Sequence, residues 1–176
     1  MTDLKTSFFF SDWLPERHVL ALYANASIAP RMGSEFLGRT TIGGNYQTPA
    51  AQTAYIVRGY PSGEFFGRNI LNGTLEYRFP ISYQYRGFGT SPFFLQRWHG
   101  ALFVDAVTLD GSYYDNTALK YLPTTIGTFY LGAGAELRAD VTAFYYLPLT
   151  LIAGGYFGAS SQATAYSVTP FLGVAL

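Results

Sequence analysis

Two carboxylates and an arginine are the residues of this chain best placed to do electrostatic work. In the segment Asn69–Ile81, Asn72, Thr74, Glu76 and Arg78 fall on one face, and Leu71, Leu75, Tyr77, Phe79 and Ile81 on the other. In Arg97–Val107, Ala101, Phe103 and Asp105 point one way and Leu102, Val104 and Ala106 the other. Period-two alternation makes each segment a β-strand with one polar and one apolar side. On adjacent strands Glu76 and Asp105 share a face, and two carboxylates there need a cation. Arg58, in the loop Val57-Arg58-Gly59-Tyr60, can answer both with its fork of donors and stack on Phe103. Alternatively, the acids pair with Arg78 or Arg138, and Arg58 is a solvated loop residue. Gly59 suits a tight backbone at the loop tip, with Tyr60 packed beneath it.

Other chemistry has little to stand on. The chain has two histidines, His18 and His99, no cysteine and no Gly-x-Ser-x-Gly elbow. No nucleophile–base spacing emerges, so no enzyme activity is expected. Two isolated histidines offer no ligand cluster, so no metal or cofactor is expected either. His99 beside Trp98 reads as interfacial. The sequons at Asn25 and Asn72 fall mid-strand and read as chance. Net charge is zero, with eleven basic and eleven acidic residues. That leaves no basic patch for nucleic acid.

The elements that position these residues are implied by composition. The 176 residues make one domain, 1–176, of which 12 % are charged and 18 % aromatic, with nineteen glycines. Soluble proteins carry about 25 % charged residues and cover an outer β face with Lys and Glu. Sparse charge with many aromatics and glycines suits instead a barrel whose outside meets lipid and whose rims carry aromatic girdles. The best helical candidate, Ala143–Ala159, contains Pro148 and Gly154-Gly155 and alternates, so it reads as strand.

Seven strands are expected: Lys5–Leu14, His18–Ala29, Asn69–Ile81, Arg97–Val107, Gly127–Val141, Leu147–Gly158 and Ala165–Leu176. In the fifth, Tyr130, Gly132, Gly134, Glu136, Arg138 and Asp140 face inward against Leu131, Ala133, Ala135, Leu137 and Ala139. The last places Val168, Pro170, Leu172, Val174 and Leu176 outward. Pro30–Arg68 is a long loop, Ser82–Gln96 a turn region and Thr108–Thr125 a polar, Tyr-rich loop. The fold class is all-β, an antiparallel transmembrane β-barrel or partial barrel of about seven to eight strands. Bacterial single-chain barrels have even counts from eight, and lipid does not tolerate open edges. Either one strand is uncounted, or the edges pair with another protein chain or by self-association.

The Val57-Arg58-Gly59-Tyr60 loop, followed by Glu76-Tyr77-Arg78-Phe79-Pro80, resembles the signature of the outer-membrane assembly-factor superfamily (BamA, TamA and the two-partner-secretion transporters). The resemblance covers about residues 15–176 and aligns with the C-terminal half of a sixteen-stranded barrel, without the periplasmic POTRA domains. It implies that Arg58 reaches into the barrel lumen onto Asp105, Phe103 and Glu76. It further implies an integral outer-membrane protein whose first and last strands form a seam for client strands. The final strand resembles the C-terminal sorting strand of such barrels, although Leu176 stands where Phe or Trp is usual.

The expected function is insertion of β-barrel proteins or translocation of polypeptide. Rival expectations are an accessory or structural subunit that completes its sheet with another chain, and a small passive pore. The start MTDLKTSFFF lacks the apolar core and cleavage site of a signal peptide. A trimmed chain, or one cut from a longer protein, is therefore expected.

Overall fold

Alternating segments joined by polar and Gly- or aromatic-rich turns can satisfy their backbone only by pairing, and here they pair in sequence order. The computed structural model describes residues 2–28, 40–42, 55–61, 64–87, 89–115, 118–160 and 167–175. The strands are β1 (Thr2–Phe10), β2 (Val19–Ile28), β3 (Thr40–Ile42), β4 (Phe65–Gly87), β5 (Phe93–Asp115), β6 (Lys120–Thr124), β7 (Tyr130–Ala143), β8 (Leu147–Ser160) and β9 (Ser167–Ala175). One sheet runs β1-β2-β4-β5-β7-β8-β9, with β3 added to β4 and β6 to β5, and each pairing is antiparallel. No helix occurs among the described residues. The fold is thus all-β, with seven strands in an open antiparallel sheet.

Six of the seven expected strands lie within a few residues of their expected centres, and the first is displaced. It spans Thr2–Phe10 and not Lys5–Leu14, because Ser11–His18 turns back through Leu14 N–H to Ser11 O and His18 N–H to Pro15 O. The larger difference is length. β4 and β5 are 23 residues each. Ser82–Gly87 and Phe93–Gln96, expected as turn, carry on the ladder, as do Thr108–Asp115, expected as loop. Each long strand templates the other, and bulges near Asn69, Pro80–Ser82 and Tyr83–Arg86 absorb the local misfit. Much of the expected loop Pro30–Arg68, and the outward side chains expected on the last strand other than Pro170, lie outside the described residues.

The two faces differ in kind. Leu71, Leu75, Ile81, Leu102, Val104, Leu131, Leu137 and Leu151 on one face are 43–55 % exposed. On the other, Asn72, Glu76, Phe103, Asp105, Tyr130, Glu136, Ile152 and Tyr156 are buried. Ala139 departs from its expected exposure and is buried: its register neighbours are Trp98 and Leu151, large side chains on either side of a methyl.

The sheet curls. A cavity of about 610 Å³ is lined from Lys5 on β1 to Thr150 and Ile152 on β8. Flat, those six neighbouring strands would span roughly 24 Å at ~4.8 Å per step, too far to share one cavity. The buried face is therefore the inside of the curve. At its long-loop end, Tyr55, Val57, Phe65, Ile70, Val107, Leu109 and Tyr130 form an apolar cluster.

Ser11–His18, the β4–β5 turn and Phe144–Tyr146 close one end; at the other, the β2–β4 and β5–β7 connections are long and β8 and β9 are separated by six residues. Phe144 and Tyr145 both hold positive φ, 51° and 69°, and Tyr146 N–H donates to Ala143 O at 3.3 Å. Two adjacent residues with positive φ are normally Asn or Gly, so these aromatics are held there against backbone preference.

Candidate functional site

The site is built on three rows that cross the sheet. Thr74, Asp105, Gly132 and Gly158 are register partners in sequence across β4, β5, β7 and β8. One step along lie Glu76, Phe103, Gly134 and Tyr156, and beyond them Arg78, Ala101, Glu136 and Gly154. Alternation places all twelve on the inner face, so the rows are fixed by backbone pairing before any charge is considered.

The loop tip sits on the first row. An added Cβ at Gly132 would lie 2.1 Å from the Arg58 carbonyl oxygen, and one at Gly158 would lie 2.7 Å from that of Gly59. Gly59 itself has φ 93° and presses on the backbone of Phe157 and Gly158. Two wall glycines and one loop glycine thus let backbone meet backbone. Tyr60 Oη lies within hydrogen-bond reach of the Ala159 and Leu131 carbonyls and, with one proton, donates to one at a time. Its ring packs edge-on to Phe65 at 5.0 Å. Burial pushes the Tyr60 phenol well above its ordinary pKa, so it stays a donor.

The guanidinium occupies the second row. Arg58 Nε and Nη2 donate to the two Asp105 oxygens, both at 2.9 Å, and the Arg58 backbone N–H adds a third bond to Asp105 Oδ2 at 3.0 Å. Nη1 donates to Glu76 Oε2 at 3.1 Å and Glu136 Oε1 at 3.3 Å. The guanidinium carbon lies 3.3 Å from the Phe103 ring centroid. That ring reaches across Gly134, where a Cβ would stand 2.8 Å from its Cζ. Burial works against the Arg58 charge, but the bonds and charge of Asp105, joined by Glu76 and Glu136, outweigh it and raise the pKa. Arg58 is cationic throughout the accessible pH range.

The acids are shared. Arg78 Nε donates to Glu76 Oε1 at 2.6 Å, and Arg138 Nη2 bridges Glu76 Oε1 at 2.9 Å and Glu136 Oε2 at 2.6 Å. Three arginines thus meet three carboxylates, with Asp105, Glu76, Glu136 and Arg58 all buried. The structure brings Val57, Arg58, Gly59 and Tyr60 onto the wall and sets Glu76, Phe103 and Asp105 around the arginine. The alternative pairing through Arg78 and Arg138 coexists with this contact.

Sequence reasoning placed Glu136 inward but did not see it as a partner of Arg58. Its position on the inner face of the next strand was the available signal. The glycine seat carried only a faint one, the repeat Gly132-x-Gly134 with Gly158 opposite Gly132.

A balanced network of this kind holds parts together. Each carboxylate is occupied by guanidinium groups, which leaves none poised as a general base. Nearer the short turns, Asp140 accepts from Arg97 Nε and from Thr150 Oγ1 at 2.8 Å, while His99 Nδ1 stands 3.7 Å away. No group of three or more His, Cys, Asp or Glu that could hold a metal ion occurs among the described residues. A scan against protein-family models gives no match, and searches of curated proteins and of solved structures give none either.

Proposed function

We propose that this chain is the loop-bearing part of an integral outer-membrane β-barrel of the assembly-factor superfamily, acting in insertion of β-barrel proteins or translocation of polypeptide. The observation that carries the reading is the Arg58 loop, folded back onto the inner face and locked to Asp105, Glu76 and Phe103. A loop residue buried in this way inside a curled sheet is the arrangement the superfamily resemblance implies.

The outer face supports a lipid environment. Leu71 to Ile81 spans ten residue steps, about 33 Å, and at a tilt of ~40° covers roughly 25 Å, the height of a barrel's apolar band. Aromatics gather at both ends of that band. Trp13, Tyr85, Phe93, Phe144, Tyr145 and Tyr146 are exposed beside the short turns, and Tyr121 and Phe129 at the other end. Tyr145 and Tyr146 are 80 and 81 % exposed on a strained turn, which suits ring insertion at the headgroup level. The two longest connections, β2–β4 and β5–β7, lie at the end opposite the short β4–β5 and β7–β8 turns, as the extracellular and periplasmic sides of such barrels do.

Phosphatidylcholine liposomes carrying the chain, offered an unfolded outer-membrane barrel, test the activity. Client folding faster than in empty liposomes supports insertion. A client rate equal to that of empty liposomes, with the chain correctly inserted, favours a second reading: an accessory or structural subunit that completes its sheet with another chain. The open edges at β1 and β9 support that second reading.

A further inference from the structure

Beyond the loop lock, the inner face passes from balance to a surplus of donors. Five cationic side chains, Lys5, Arg58, Arg78, Arg97 and Arg138, line the cavity of about 610 Å³ against three carboxylates, Glu76, Asp105 and Asp140. Glu136, bonded to Arg58 and Arg138, makes a fourth. All eight oxygens of these four acids already have a donor. Arg58 takes both oxygens of Asp105 and one each of Glu76 and Glu136. Arg78 and Arg138 share the other Glu76 oxygen, and Arg138 holds the other oxygen of Glu136. Asp140 accepts from Arg97 Nε on one oxygen and from Thr150 Oγ1 on the other.

The donors are not used up in the same way. Arg97 gives only Nε, so its Nη1 and Nη2 have no partner among the described residues. Arg78 gives Nε to Glu76 and Nη2 to Tyr23 Oη, and its Nη1 likewise has none there. Register gathers these groups at the short-turn end. Pro80, His99, Arg138 and Ile152 form one row across β4, β5, β7 and β8, and Tyr83, Arg97, Asp140 and Thr150 form the next. Arg78 stands one row above His99, and the charges of Arg78, Arg97 and Arg138 all act on that ring. His99 Nδ1 is sealed from solvent with no hydrogen-bond partner among the described residues, 3.7 Å from Asp140 Oδ2. A wall with its acceptors filled and donors to spare is complementary to an anion. The free end of a guanidinium offers two parallel N–H groups, a match for two oxygens of a phosphate.

We propose that the short-turn end of the cavity binds an oxyanion of the phosphate class, held by the Nη1–Nη2 edge of Arg97 with the positive charges of Arg78 and Arg138 beside it. These groups stand on β4, β5 and β7, neighbours within the sheet, so the site does not depend on what lies beyond β1 or β9.

Titration calorimetry at constant ionic strength tests this, with the chain in an uncharged detergent and inorganic phosphate replacing chloride. One saturable site per chain is expected. Glycerol 3-phosphate in a parallel titration separates two sources: tighter binding than phosphate assigns the site to a monoester, and weaker binding to the free ion. Arg97→Gln should weaken binding about tenfold or more through loss of charge-assisted bonds. Arg97→Lys keeps the charge and loses the fork, and should recover only part of the affinity. Arg86→Gln removes the same charge from the β4–β5 hairpin outside the cavity and should change nothing. No saturable binding to the folded chain would overturn the proposal, as would full affinity in Arg97→Gln or an equal loss in Arg86→Gln. Circular dichroism checks that each variant is folded; should Arg97→Gln fail, Arg97→Lys carries the comparison with Arg86→Gln. The site rests on the inner face and not on the membrane reading. A chain that stays monodisperse without detergent refutes that reading, and the same titration in buffer then decides the site.

Discussion

On β5, Leu102 and Val104 lie half-exposed on the outer face, while the residues that alternate with them, Phe103 and Asp105, are buried against Arg58. The same backbone thus carries two surfaces made under different rules. The outer one asks for apolar character, which Leu, Val, Ala and Phe all supply along it. The inner one depends on identity and register: Asp105 must sit one row from Glu76, with Gly132 beside it, or the loop has neither its charges nor its seat. An environment is specified loosely and a contact narrowly, because hydrophobic transfer is non-directional and a guanidinium fork is not.

The largest test of this contrast removes the inner cation. Arg58→Ala leaves three buried carboxylates with only Arg78 and Arg138, at a cost of about 3–5 kcal/mol. Limited proteolysis should then cut within 30–64 while the strands stay protected. Asp105→Asn should be milder, and the double variant less than additive, since both residues share one interaction. Strict additivity would place the loop's anchoring elsewhere.

Next in size is a charge on the outer face. On the proposed membrane reading, Leu75→Arg should cost roughly 2–4 kcal/mol in chemical unfolding from lipid, whereas Thr74→Arg, which faces the cavity, should be mild. Equal costs would abolish the distinction between faces. Gly132→Ala should then unseat the loop, because the new methyl meets the Arg58 carbonyl; backbone shifts of this kind cost about 1–3 kcal/mol. Its protease pattern should match that of Arg58→Ala, although all the charges remain. Smallest is Phe103→Leu, which keeps bulk and removes the ring beneath the guanidinium, a loss of about 0.5–2 kcal/mol that double-mutant analysis with Arg58 isolates.

Much of this was legible because alternation is a local property. Asn72, Thr74, Glu76 and Arg78 declare a face without reference to any partner, and the faces of β4 and β5 follow from the sequence. Lengths did not. Ser82–Gly87 looks like a turn when read alone and is strand because residues between Phe94 and Trp98 pair with it. Thr108–Asp115 looks like a polar loop and is strand because Phe65–Leu71 pairs with it on one side and β6 with its second half on the other. Two prolines show the same dependence. Pro80 and Pro148 interrupt their strands in sequence. They are accommodated because pairing with β2 has ended at Arg78 and pairing with β9 at Thr150, which spares a ladder bond on that side.

The sequence by itself determined an all-β chain with a polar and an apolar face, and it set Arg58, Glu76 and Asp105 as charges in need of one another. Only the tertiary structure decided that Glu136 joins them, that Arg78 and Arg138 share the same carboxylates, and that Gly132 and Gly158 form the seat for the loop. The physical reason is range. Side-chain direction repeats every two residues and can be read along the chain. Which rows stand opposite each other is set by register across β4, β5, β7 and β8, and register comes from the pairing of segments far apart in sequence.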